Sequence, residues 1–142
     1  MAENVLTLEV ATPLGLVLRT EAENVAAPSV QGEFGVFAGH LPVLAALKPG
    51  VVKYRVAGKS HVAAVGAGFV EGGPSKMLLL CDVFARPDDI DEAGVKEELA
   101  EAEQALVRFS ERYEGTRYEE LQRTVDWCLA RLEAKAEHAR LR

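Results

Sequence analysis

The sequence predicts an all-β N-terminal sandwich followed by a C-terminal antiparallel α-helical hairpin, with the seam at Arg86-Pro87. Three observations carry this. Of the 18 glycines and prolines, 16 lie at or before Pro87. Apolar residues recur with period two before that point and with helical spacing after it. Charge divides at the same place: residues 1–86 hold seven Lys/Arg and seven Asp/Glu, residues 87–142 nine and fifteen, so the whole formal charge of -6 lies in the tail.

In the first part, Leu6, Leu8 and Val10 alternate with Thr7 and Glu9, the pattern of a half-buried strand. Leu14-Gly15 signals a turn into Leu16–Arg19, so residues 5–20 predict a hairpin. Val51–Val56 alternates again, Gly58-Lys59 turns the chain, and His61–Val65 returns it. Gly72-Gly73-Pro74 leads into an apolar strand over Lys76–Asp82. Short strands punctuated every 8–12 residues indicate a sandwich or flattened barrel. Gly32–Pro42 reads as a glycine-rich loop between strands.

After Pro87, Val95, Leu99, Ala102, Leu106, Phe109 and Tyr113 form one apolar seam. Asp89 or Asp91 is placed to cap the helix start. Glu114-Gly115-Thr116 ends it, with Gly115 as the left-handed stop and Thr116/Glu119 as a capping box for the next helix. Tyr118, Leu121, Val125, Cys128 and Leu132 continue the seam. A lone pair of such helices has little core, so it must dock on the head, on a partner, or alternately on both. The predicted domains are therefore a sandwich over residues 1–86 and a regulatory hairpin over residues 87–142.

Several chemistries are excluded by residue type and spacing. No apolar run reaches the ~20 residues that span a bilayer. Met1-Ala2-Glu3-Asn4 has no signal-peptide character, which predicts a cytoplasmic chain. Cys81 and Cys128 lie 47 residues apart and read as reduced thiols. No basic cluster suits nucleic acid, and His40, His61 and His138 lack metal-ligand spacing. Gly32–Pro42 has no Gly-Lys-Ser/Thr and fails as a phosphate loop. A hydrolase built on His40 and Asp82 lacks a nucleophile. No catalytic residue, metal or cofactor is expected.

One stretch is specific. Gly32-Glu33-Phe34-Gly35-Val36-Phe37-Ala38-Gly39-His40-Leu41-Pro42-Val43-Leu44, followed by Leu47-Lys48-Pro49-Gly50, then Gly68-Phe69-Val70-Glu71 and Leu80-Cys81-Asp82-Val83, resembles the epsilon subunits of bacterial F-type ATP synthases in order and spacing. The resemblance spans nearly the full chain. It implies a non-catalytic rotor subunit of a proton- or sodium-translocating synthase, peripheral at the cytoplasmic face of the bacterial inner membrane. Its head would contact the gamma subunit and the c-subunit ring through Glu33, Gly35, His40 and Pro42. Its hairpin would fold on the head or extend into the alpha/beta hexamer and suppress ATP hydrolysis, with Arg123, Arg131, Lys135, Arg140 and Arg142 facing acidic loops there. Some relatives bind ATP through an Ile/Leu-Asp-x-x-Arg-Ala motif. Here Ile90-Asp91-Glu92-Ala93-Gly94 puts Gly94 in place of the arginine, which predicts weak or absent nucleotide binding. The alternative is a cytosolic interaction adaptor with a permanent coiled-coil hairpin.

Overall fold

The sandwich is built from ten strands, described together with the two helices by a computed structural model over residues 4–110 and 116–141. The strands are β1 (Leu6–Thr12), β2 (Gly15–Ala22), β3 (Asn24–Ser29), β4 (Gly32–Phe37), β5 (Val43–Leu47), β6 (Gly50–Val56), β7 (Lys59–Val65), β8 (Gly68–Gly73), β9 (Lys76–Cys81) and β10 (Phe84–Ala85). A short 3-10 turn at Pro87–Asp89 leads to α1 (Glu92–Ser110) and α2 (Thr116–Arg140).

Hydrogen bonding runs β10-β7-β6-β3-β5-β8-β9-β1-β2, with β4 on the other side of β3. The path is two half-sheets, β4-β3-β6-β7-β10 and β5-β8-β9-β1-β2, joined at one corner. There Ser29 pairs with Leu47, Val30 N–H donates to Ala46 O, and Lys48 N–H donates to Pro28 O. Folding the halves face to face closes one core over Leu6, Leu8, Val10, Val25, Val52, Val65, Val70, Met77 and Leu79.

The predicted hairpins 5–20 and 51–65 are present, as is the strand ending near Asp82. Gly32–Phe37, expected as a loop, is strand β4. Phe34 and Val36 face the core while Glu33, Gly35 and Phe37 are exposed. Two glycines in six residues hide that alternation from a hydrophobicity reading. Its partner β3 ends in Pro28-Ser29, and the proline is tolerated because β6 pairs only with Asn24–Ala26.

β7 is buried on both faces. Ala63 and Val65 enter the inner core, whereas Val62 and Ala64 join a second cluster with Val51, Ile90, Val95, Cys128, Ala130 and Ala134. α2 thus lies on the outer face of β6 and β7, and α1 packs on α2. Of the predicted seams, Val95, Ala102, Leu121, Val125 and Cys128 are buried and Leu99, Leu106 and Leu132 half-buried. Tyr113 and the turn expected around Gly115 lie outside the described residues. Asp91 precedes α1, and its carbonyl accepts Val95 N–H at 2.9 Å.

Candidate functional site

The residues implied as partner contacts are spread along β4 and beyond it. Glu33, near the start of β4, is half-exposed and pairs with Lys53 of β6 at 3.2 Å. The two side chains meet across the outer face, beside the unobstructed Gly35. His40 lies past the opposite end of β4, so the length of the strand separates the two sites. Its Nδ1–H donates to Leu41 O at 2.7 Å, and Nε2 is enclosed with no partner among the described residues. The ring fits because position 72 is glycine: a Cβ there would lie 3.3 Å from His40 Cε1. Gly39 N–H donates to Pro74 O at 2.7 Å and ties the segment to the β8–β9 turn, leaving Leu41 and Pro42 exposed. Asp82 follows β9 at the end away from His40, so the pairing that a hydrolase would need does not exist.

The sheet opposite the arm supplies residues that the sequence reading did not single out. Register pairs Leu16 with Ala11, Ala11 with Leu80, Leu80 with Phe69, and Phe69 with Ala46. All five point outward, and Leu16, Phe69 and Leu80 are 58%, 60% and 47% exposed. This is an apolar belt crossing five strands on a face that none of the described residues covers. The next row mixes Leu44 with Glu71, Leu78, Glu9 and Arg19, and Glu9 binds Lys76 at 2.8 Å and Arg19 at 3.3 Å. The Lys76 contact, more than any other, lowers the Glu9 pKa. A signal for the belt was present in the sequence. Met77-Leu78-Leu79-Leu80 is continuously apolar rather than alternating, as in strands apolar on both faces.

In the arm, Arg131 is not a solvent-facing cation. Its side chain is 15% exposed, its Nη2 donates to Glu98 Oε2 of α1 at 2.8 Å and to Cys128 Sγ at 3.3 Å, and the guanidinium lies 5.2 Å from the Trp127 ring centroid. It is committed to holding the two helices together. Burial, with Glu98 adding to it, raises the Cys128 thiol pKa, and burial pushes Cys81 up to about 11, so both thiols stay protonated and inert. Arg123 is exposed, Arg140 pairs with Glu137 at 3.0 Å, and Lys135 lies by the α1 start. Arg142 is outside the described residues.

The start of α1 faces Glu98, Trp127 and Arg131 across a cleft of ≈ 410 Å³. Asp89, Asp91 and Glu98 line it against the committed Arg131. A Cβ at Gly94 would come 2.6 Å from Asp91 Oδ2, so the carboxylate occupies the space a side chain there would use. Three carboxylates against one committed guanidinium make these surroundings unfavourable for phosphate.

Residues 5–87 match the model of the ATP synthase delta/epsilon chain beta-sandwich domain. The chain belongs to this family. An ATP synthase epsilon chain from Nitratidesulfovibrio vulgaris is 35% identical over 133 residues, covering 94% of this chain and 97% of the relative. Among solved structures, a chain of the Euglena gracilis mitochondrial ATP synthase OSCP/F1/c-ring complex superposes with TM-score 0.76 at 17% identity, covering 96% of this chain and 81% of that one. One from the Tetrahymena thermophila ATP synthase central stalk/c-ring gives 0.54 at 14%, covering 96% and 98%. These two likenesses establish the shared fold. As an epsilon-type chain this is a non-catalytic subunit, and a free-standing adaptor loses its ground. No helix among the described residues is long and apolar enough to cross a membrane.

Proposed function

We propose that this chain is a central-stalk subunit linking gamma to the c-ring of a proton- or sodium-translocating ATP synthase at the cytoplasmic face of a bacterial inner membrane. Its hairpin serves as a displaceable inhibitor of ATP hydrolysis at the alpha/beta hexamer. The observation that carries the reading is the uncovered belt of Leu16, Ala11, Leu80, Phe69 and Ala46. A contiguous apolar surface on a sheet whose opposite partner face is already covered calls for a second protein. Burying each large side chain contributes about 1.5–3 kcal/mol, and the flanking charges supply the polar rim of an interface. We assign this face, with His40, Leu41 and Pro42 at its margin, to gamma. The Glu33 end of the head is assigned to the ring. Folded on β6 and β7, the arm is held off the hexamer. Released, it presents Arg123, Lys135 and Arg140, with Arg142, to acidic loops, and Arg131 as well if the helices part.

Co-expression with the matching gamma subunit tests the reading. The wild-type chain is expected to co-purify with gamma, and a Phe69→Asp/Leu80→Asp variant to lose at least about a hundredfold in affinity, since two buried charges face an apolar partner. Both positions point to solvent in the free chain, so its circular dichroism stays unchanged. Equal recovery of variant and wild type would sink the assignment.

A further inference from the structure

β7 pairs with β6 along its whole length, but on its other side β10 meets only Val65 and Ala64. Two hydrogen bonds fix which backbone groups this leaves open. Gly66 N–H donates to Val83 O, and Glu23 N–H donates to Arg55 O. Backbone groups alternate sides along an antiparallel strand, so even-numbered residues of β7 turn theirs toward β10 and odd-numbered ones toward β6. After Ala64–Ala85 the next such position sets Val62 against Pro87. Pro87 has no N–H, and its carbonyl accepts Ile90 N–H at 3.1 Å instead. Ser60 and Val62 therefore each turn one N–H and one C=O to an open edge, without a partner among the described residues. Val62 is nonetheless buried, and buried backbone donors are rarely left unpaired.

This edge lines a groove of ≈ 590 Å³ between the β6–β7 hairpin, the seam and the end of α2. Lys59, His61, Arg86 and His138 surround it against one carboxylate, Asp88. In a chain of net charge -6 that is a local excess of base. The cleft beside α1 has the opposite balance, three acids to one base. Asp88 is already faced by His138 at 3.9 Å, and Lys59 has no ion-pair partner among the described residues. Arg86 is held in place by one of its five N–H donors, from Nη2 to Val17 O at 2.8 Å, with its Cζ 5.3 Å from the Phe84 ring centroid. α2 brings the negative end of its dipole here, and His138 in its last turn answers that charge when protonated.

We propose that this groove is a binding site for hydrogen phosphate. Lys59 and Arg86 meet the ion's two charges, and its bare oxygens accept from the Ser60 and Val62 N–H groups. Its P–OH donates to an edge carbonyl, so one ion serves both the donors and the acceptors of an unpaired strand edge. Sulfate has the same shape and charge but no proton to give, and it sets an anionic oxygen against that carbonyl. His138 and Leu141 belong to the arm, so the whole site exists only while α2 lies on β6 and β7. Phosphate thus stabilises the docked arm by mass action. The site is a property of the free chain and is independent of the central-stalk reading.

Calorimetric titration of the full chain with sodium phosphate and with sodium sulfate, at one pH and ionic strength, tests it. One phosphate is expected to bind with Kd about 1 mM, and sulfate at least about tenfold more weakly. Lys59→Ala removes an exposed side chain outside both clusters of buried residues and should weaken phosphate about tenfold with circular dichroism unchanged. Phosphate at about ten times its Kd should slow the reaction of Cys128 with a thiol reagent about tenfold, because the released arm has lost the site. Sulfate bound as tightly as phosphate, or phosphate binding that Lys59→Ala leaves untouched, shows an adventitious ion only and overturns the site. Phosphate binding that leaves the Cys128 rate unchanged overturns its tie to the docked arm. No phosphate binding up to about 20 mM overturns the proposal entirely.

Discussion

The inner core of the sandwich and the surface where the arm docks are two interfaces of the same strand. β7 gives Ala63 and Val65 to the first and Val62 and Ala64 to the second. The inner core is filled by long side chains: Leu6, Leu8, Met77 and Leu79 are fully buried. The cluster between arm and sheet has Ala64, Ala130 and Ala134 beside Val51, Val62, Ile90, Val95 and Cys128, with Trp127 and Leu132 packed against it. A buried methyl stabilises by about 0.8 kcal/mol, a buried Leu by two to three times as much. The strongest polar contact of the arm, Arg131–Glu98, joins α1 to α2 and not the arm to the head. On the proposed reading, one interface stays closed and the other closes without holding fast, and the Arg131–Glu98 tie lets the hairpin move as a unit.

The sharpest way to break this comparison is in the inner core. Leu79→Ala should cost about 2–5 kcal/mol and bring down head and arm together, read as one lowered melting transition in calorimetry. Overfilling the docking surface with Ala134→Leu should instead cost about 1–3 kcal/mol and release the arm alone. Cys128 would then react with a thiol reagent at least about tenfold faster while Cys81 stays protected and the head melts at its usual temperature; a shared rise in both thiols would show that the two interfaces are one cooperative unit. Removing the tie between the helices by Glu98→Ala should cost about 1 kcal/mol, because Glu98 is half exposed, and should loosen the hairpin more than the docking. Acidity sharpens the contrast further. Cys128 is held neutral above its ordinary value of 9.0 in the folded arm, so its contribution is complete below that value and falls away as pH rises past it. Protection factors of α2 amides, taken against the intrinsic exchange rate at each pH, should therefore fall as pH rises past it. The smallest effect belongs to the nucleotide cleft, where calorimetric titration should detect no ATP binding tighter than about 1 mM, and Gly94→Arg should not create it while Asp91, Asp89 and Glu98 remain.

Much of this division was legible in the sequence, because the change from period two to helical spacing at Pro87 is a property of side-chain order alone. The glycine stretch was legible as a specific pattern but not as a strand, since glycine contributes nothing to an alternation count. Ala130 and Ala134 passed unnoticed for a related reason: α2 has a second buried face made of residues too small to mark a stripe. Arg131 could be placed on a helix but not given its partner, because Glu98 belongs to the neighbouring helix and their meeting depends on packing. The belt needed register. Leu16, Leu80 and Phe69 are far apart in the chain and become neighbours only through four strand pairings. His40 stands in the glycine-rich stretch that the sequence sets apart, but what makes room for its ring is the absent side chain at Gly72.

The hydrogen bonds between the half-sheets are few, at the Ser29, Val30 and Lys48 corner, from Gly39 N–H to Pro74 O and from Arg86 Nη2 to Val17 O, and this has a mechanical meaning. Between these points the half-sheets bear on each other mainly through core side chains, and close-packed interiors are nearly incompressible. A twist applied to one half therefore reaches the other as direct bearing rather than as stretching of a backbone ladder. On the proposed central-stalk reading, such a head acts as a stiff block and stores little elastic energy of its own.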